Sequence, residues 1–294
     1  MTTIAKPERP RSGFYFKDTD AELLKLLVDY RFLQPEDFVR LTKRNLVSLR
    51  RRLRQLVHAL YIERLTLPLE REAPLGNPPD AYVYQLAARG VARARACGFA
   101  DEDYRYTREK SNLFLLHDLL VTRFHLALAL ATQGTERELI TWEQRRSVLL
   151  DWSEGVSGRL SVNPDAFFGV RDRAKPEGEN ASYFFLEIVR SRESEYERGE
   201  SNFVRKMRAF AEYYAGGRHR ERYGIANFRV ITVTPTKQRA QNLCEKLREE
   251  GLSSKRFMFT DQGAIDPADP AKILGKIFLT PKDFDQGTLY SLID

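Results

Sequence analysis

Two acids stand inside otherwise apolar runs between Leu160 and Arg190: Asp165 in RLSVNPDAFFGV and Glu187 in YFFLEIVRS. Both runs are rich in Phe, Val and Ile, the composition of strands. The segment between them, RDRAKPEGENAS, collects charges, Pro, Gly and Asn and predicts a hairpin connection. A carboxylate inside such a strand is costly to bury without a partner. Two of them on adjacent strands can point at one spot and hold a divalent cation such as Mg²⁺, which prefers oxygen ligands. The plainer alternative is a solvated hairpin Asp and a Glu paired with Arg190 or Arg205. Glu143, at the end of a strand expected over 139–143, is a candidate third metal ligand.

A second group of residues suits a different chemistry. From Lys43 to Arg54 there are six basic residues and no acid. The spacing of Leu46, Leu49, Leu53, Leu56 and Leu60 predicts a helix over about 45–60 with one buried stripe. Arg44, Val47, Ser48, Arg51, Arg54 and Gln55 fall opposite that stripe, and Lys43, Arg44, Ser48, Arg51, Arg54 and Gln55 are the candidate DNA contacts. A face of this kind binds phosphates and reads base edges when it enters a major groove. A solvated helix face is the bland reading of the same charges.

The elements around these groups follow from pattern. Thr19-Asp20-Ala21-Glu22 has the form of a capping box opening a first helix. Pro35 opens a short second helix. After the basic helix, Tyr61–Leu67 and Ala81–Leu86 read as two strands around a turn-rich tip, and Ala87–Val91 opens a closing helix. Residues 1–16 read as a flexible basic tail, 17–100 as one domain, 101–110 as a linker and 111–294 as a second domain. That second domain begins with a helix over about 111–133, with Leu113, Leu116, Leu120, Phe124 and Leu128 inward and His117 as a satisfied core residue. A helix over 202–214, a strand FRVITVT over 228–234, a helix from Thr236 and a strand over 256–260 follow the hairpin.

Composition bounds the partners. The chain has 294 residues, 42% hydrophobic and 30% charged, with a net charge of +7. A basic balance favours a polyanion, and double-stranded DNA is the default. LFLLHDLLVTRFHLALALA is broken by His117, Asp118 and Arg123 and reads as an amphipathic core helix rather than a membrane span. Two distant cysteines, Cys97 and Cys244, fit a reducing, cytoplasmic setting. No GxxxxGK[ST] and no GxGxxG occurs, which argues against an ATPase. A tyrosine relaxase stays open with 13 tyrosines, although the histidine cluster that relaxases use for metal is missing.

The Pro164-Asp165 pair followed by Glu187 resembles the PD-(D/E)xK nuclease-like superfamily. The resemblance implies that both acids bind metal and that a lysine two positions after the second acid assists the attacking water. Val189 holds that position here. Some members carry the lysine on the following helix, which points to Lys206. The helix order before and through the basic stretch resembles a winged helix-turn-helix module. Together these imply an α+β chain of two domains: an N-terminal winged helix-turn-helix and a C-terminal restriction-endonuclease-like αβββαβ core.

The order of further motifs resembles the replication-relaxation family of plasmids and mobile elements. It runs His117-Asp118, Glu143, Pro164-Asp165, Phe185-Leu186-Glu187-Ile188, Lys206 with Tyr213 and Tyr214, then FRVITVT and Arg239. Where members carry Glu-x-Asp-Arg, this chain has Glu187-Ile188-Val189-Arg190, so the second acid is lost. The resemblance implies a DNA-binding protein acting in replication, relaxation or mobilisation, alongside other plasmid proteins, with a degenerate nuclease-like domain. The alternative is a Mg²⁺-dependent endonuclease using Asp165, Glu187 and Lys206. Whether the chain pairs as a homodimer stays open.

Overall fold

The computed structural model of the chain describes residues 14–66, 82–104, 112–155, 158–189 and 196–293, without the side chains of 112, 113 and 196–201. The fold is α+β, with helices and a mixed sheet. The chain divides into two compact units, Met1–Thr122 and Arg123–Asp294. Most of the expected basic tail, the tip between the two N-terminal strands and residues 105–110 of the expected linker lie outside the described residues.

In the first unit, α1 (Asp18–Tyr30), α2 (Pro35–Thr42) and α3 (Leu46–His58) precede β1 (Ile62–Thr66), β2 (Tyr82–Leu86) and α4 (Ala88–Ala96). α1 does not use the Thr19 cap. Its first turn starts at Asp18, and the Asp20 carboxylate instead accepts from the backbone N–H of Lys17 at 2.7 Å. Pro35 opens α2 as expected. Asn45 caps α3, its side chain accepting from the N–H groups of Val47 and Ser48 at 3.0 and 3.2 Å. Leu49, Leu53 and Leu56 are buried. The stripe stops there: Leu60 lies past the helix at φ +62 and is 42% exposed. β1 and β2 pair antiparallel from Ile62↔Leu86 to Thr66↔Tyr82, and Leu33 bridges to Tyr84 on the other edge. Gly90 lets α4 press on the chain after α3, since a Cβ there would fall 1.9 Å from the Tyr61 carbonyl oxygen. Phe14 and Phe16, within the expected tail, lie 5.7 and 5.0 Å from the Tyr61 ring.

The boundary between the units falls inside α5 (Asn112–Thr132). The expected amphipathic face is not there. Leu115 and Leu119 are buried while Leu116 is only half-buried, and further along Leu120, Val121, Phe124, Leu126, Ala127 and Leu128 are all buried. By length and composition Phe114–Thr132 could cross a membrane, with mean hydropathy 1.5, but 61% of it is buried inside the protein. A helix apolar all round, buried on several sides, is a core helix.

The second unit is built on a five-stranded sheet in the order β3 (Arg137–Glu143), β6 (Ala166–Asp172), β7 (Ala181–Ile188), β8 (Arg229–Thr234), β9 (Phe257–Asp261). β3, β6 and β7 pair antiparallel; β7, β8 and β9 pair parallel. α7 (Tyr196–Ala215) and α8 (Arg218–Tyr223) connect β7 to β8, and α9 (Lys237–Glu249), capped by Thr236, connects β8 to β9. Parallel strands under such crossovers are covered on both faces, and FRVITVT is apolar for that reason. On one face Phe185 meets Phe210 and Tyr213 of α7 at 5.5 and 6.4 Å. On the other, Phe124 lies 5.5 Å from Phe168, which stacks on Phe184 at 4.9 Å.

The first hairpin strand expected from the sequence is broken. Residues 158–162 leave the sheet and pair as β5 with β4 (Asp151–Gly155), a separate ribbon, after a short α6 (Arg146–Leu149). β6 starts only at Ala166, after Pro164-Asp165.

Two histidines of this unit are buried, His219 and His125, and His125 stacks on Trp142 at 4.0 Å with the rings 4° from parallel. Burial pushes its pKa down from 6.5 to about 3. In the unfolded chain the ring regains its ordinary value, so below pH 6.5 the unfolded state takes up a proton that the folded state refuses. Stability therefore falls with pH from about 6.5 toward 3, by up to about 1.4 kcal/mol per pH unit. Urea unfolding of the second unit at pH 7 and pH 5 should differ by about 2 kcal/mol more in the parent than in His125→Phe. An equal pH response in both would show that the buried ring carries its proton.

Candidate nucleic-acid face and acid-lysine cluster

Helix α3 carries four arginines, with Lys43 and Arg44 just before it, and their fates differ. The Asp20 carboxylate is fully buried, and Arg52 grips it, Nε to Oδ1 at 2.6 Å, with a further bond from Nη2. Arg52 also donates to the Gln55 side chain and to the Tyr15 carbonyl, both at 2.8 Å. Its pKa is raised, foremost by the hydrogen bond to Asp20. Arg50 bonds Glu36 at 2.7 Å. Arg44 pairs with Glu22 and donates to the Thr19 carbonyl at 3.2 Å. Of the candidate contacts, Arg44 is half-buried in these bonds, while Gln55 is exposed and accepts from Arg52 through its side-chain oxygen. Lys43, Ser48, Arg51 and Arg54 are exposed, and Lys43, Arg51 and Arg54 have no ion-pair partner among the described residues.

In the second unit, the chain enters β6 so that Asp165 faces Glu187 across the hairpin. Ala166 is in register with Leu186, and the Asp165 N–H donates to the Leu186 carbonyl at 2.9 Å. The Ile188 N–H donates back to Asp165 Oδ2 at 2.7 Å. Glu187 is 4% exposed on the central strand, on the same face as Phe185. α7 covers that face, and Lys206 donates its ammonium to Glu187 Oε2. Burial pushes the Lys206 pKa down, yet Glu187 and then Asp165 push it further up, so the net shift is upward and the group is cationic at neutral pH. Asp165, Glu187 and Lys206 thus meet at one place.

Glu143 does not join them. It is in register with Phe167, which is in register with Phe185, so it stands two strands and two residues from Glu187. That is on the order of 12 Å between Cα atoms. Its carboxylate instead accepts from the Gln144 and Arg145 N–H groups at 2.9 and 2.7 Å and from the Arg145 guanidinium at 2.7 Å. Its pKa is lowered: burial pushes it up, and the Arg145 and Gln144 bonds outweigh that. Among the described residues no group of three or more His, Cys, Asp or Glu is gathered as a metal site. Two carboxylates are still donors of the hard, oxygen kind that Mg²⁺ takes alongside waters and phosphate oxygens. Val189 points its backbone into the sheet, its N–H bonded to the Val233 carbonyl at 2.9 Å. Arg190 lies outside the described residues, and Arg205 is exposed.

Sequence reasoning missed two neighbours. Thr232 is fully buried and in register with Glu187 on β8, with no hydrogen-bond partner for its hydroxyl. Arg146, on α6, is close enough for its charge to act on Lys206. Both are set by pairing and by the inserted α6–ribbon segment, which no local pattern announces.

If Lys206 is the counter-charge of a buried carboxylate, its loss must cost stability. Lys206→Met should destabilise by about 3 kcal/mol, at the low end for a broken buried pair because the lysine is partly exposed. Lys206→Met combined with Glu187→Gln should recover most of it. Equal losses in the single and double variants, measured by urea denaturation, would show that the two do not interact.

The family model for replication-relaxation matches residues 24–228, more than half of the chain and both units. No curated protein and no solved structure matches it. The matched span contains α3 with its unpaired cations and the meeting point of Asp165, Glu187 and Lys206, and the chain belongs to the replication-relaxation family.

Proposed function

We propose that this is a DNA-binding protein of a plasmid or other mobile element, acting in its replication, relaxation or mobilisation beside other proteins of that element. Family membership supports the setting. The observation that carries DNA binding is the sorting of charge on α3: the arginines needed inside the unit are paired, while Lys43, Arg51 and Arg54 stand exposed beside Ser48. The order α1, Leu33 bridge, α2, α3, β1, β2, α4 supports a winged helix-turn-helix, with α3 as the helix that enters the major groove of duplex DNA. Cations on such a face displace counterions from phosphates, which gives affinity its salt dependence.

For the second unit the mixed sheet with its acids at one strand end supports a nuclease-like αβββαβ core, used here chiefly as a further contact. One observation favours a second reading, metal-dependent nicking of DNA. The lysine absent at Val189 is supplied from α7 by Lys206, beside both acids. In that reading Asp165 and Glu187 would hold Mg²⁺, which would supply Lewis-acid charge to the phosphate and a more acidic water. Lys206, cationic, offsets negative charge growing on the phosphate oxygens. To do so it has to shift part of its hydrogen bonding from Glu187 to substrate.

Arg51→Ala with Arg54→Ala should weaken duplex binding and lower the slope of log K against log salt by about 1 for each lost contact. Arg50→Ala, whose guanidinium is held by Glu36, should change the slope by less than either. An unchanged slope in the double variant, with the fold intact, would remove α3 from the interface. Supercoiled DNA with Mg²⁺ or Mn²⁺ separates the two readings of the second unit. The binding reading expects no nicking above background. Nicking that Asp165→Ala and Glu187→Ala abolish and Lys206→Met reduces would establish the endonuclease.

A further inference from the structure

Val47 lies in the middle of the α3 face that carries Arg51 and Arg54, with Lys43 just before the helix, and these three have no ion-pair partner among the described residues. It is the second residue of the helix, one turn before Arg51 and two before Arg54, with Ser48 beside it. It is 76% exposed, matched among the exposed large apolar side chains of the described residues only by Tyr15. A lone exposed apolar residue is ordinary on a protein surface. Its setting here is not: every other outward position near it is polar or cationic, and the Asn45 cap bonds fix the backbone of Val47 and Ser48 themselves. The first turn of a helix lying in the major groove is the part that reaches base edges. There the one apolar feature offered by any base pair is the C5-methyl of thymine, and small aliphatic groups are what contact it.

We infer that Val47 reads a thymine, by packing its two methyl groups on the C5-methyl in the major groove of duplex DNA. The inference rests on the reading of α3 as the groove helix, and it adds that the protein has sequence preference and names its chemistry. Lys43, Arg51 and Arg54 then supply phosphate affinity that is the same for all sequences, while Val47 supplies discrimination. Covering one methyl group is worth about 0.8 kcal/mol, so replacing that thymine by deoxyuridine, which lacks only the methyl, should weaken binding about fourfold. Val47 is exposed and makes no core contact, so Val47→Ser leaves the fold intact.

The test selects the preferred duplex from a random pool with the full chain and then measures affinity with deoxyuridine placed at each thymine in turn. The expected result is one thymine whose replacement costs about fourfold, a cost that disappears in Val47→Ser while the salt slope of that variant stays at the parent value. A selected site without thymine, or deoxyuridine duplexes bound as tightly as the parent duplex at every position, would overturn the inference. So would a thymine effect that persists in Val47→Ser. Arg51→Ala with Arg54→Ala, run beside these, keeps the two claims apart. If that pair lowers affinity and slope while deoxyuridine has no effect, α3 binds DNA and the thymine contact is wrong. If neither Val47→Ser nor the arginine pair changes binding to any duplex, the groove-helix reading fails and the inference with it.

Discussion

A carboxylate taken out of water needs a cation, and both units are arranged around that demand. Asp20 is fully buried and Glu187 nearly so. Left alone, either would cost several kcal/mol. In the first unit the answer is Arg52, which reaches from the middle of α3 to α1. In the second it is Lys206, drawn from α7 onto the central strand. The same demand decides what is left over. Because Asp20, Glu22 and Glu36 bind Arg52, Arg44 and Arg50, the cations that remain outward on α3 form a narrower set than the sequence suggests. A surface pair such as Arg50 with Glu36 is weak and salt-sensitive. The Asp20–Arg52 pair is not of that kind, since one partner is wholly buried.

The acid-lysine cluster follows from sheet topology as much as from charge. Asp165 is brought opposite Glu187 by an antiparallel hairpin, and its carboxylate is held there by the Ile188 N–H. The chain then crosses over through α7 to a parallel strand, which obliges a helix to lie on the face that Glu187 shares with Phe185. A lysine on the inner edge of that helix is therefore delivered to the acids without being near them in sequence.

Much of this was legible in the residues. The leucines of α3, the Pro35 start of α2 and the apolar run of β8 each encode a local rule, and each element formed near its expected bounds; α7 ends where expected but begins six residues earlier. Lys206 is half-buried on α7 beside the buried Met207. What failed depended on distant partners. Arg44 is engaged by Glu22, 22 residues away. Glu143 looks like a third ligand until the register places it two strands from Glu187. The run from Leu160 reads as the start of a core strand, yet its first residues pair with Asp151–Gly155 in a separate ribbon. Gly158, at φ +78, closes it into a hairpin of its own. α5 defeated periodicity for a physical reason: nearly every position is apolar, so no face stands out.

The claim that α3 holds the duplex is tested most directly by photo-crosslinking. A benzoylphenylalanine placed at Ser48, exposed on α3, is compared with one at Gln238, exposed on α9. The account predicts a covalent adduct to double-stranded DNA from position 48, suppressed by excess unlabelled duplex and absent from position 238. Adducts from position 238 with none from position 48 would contradict it.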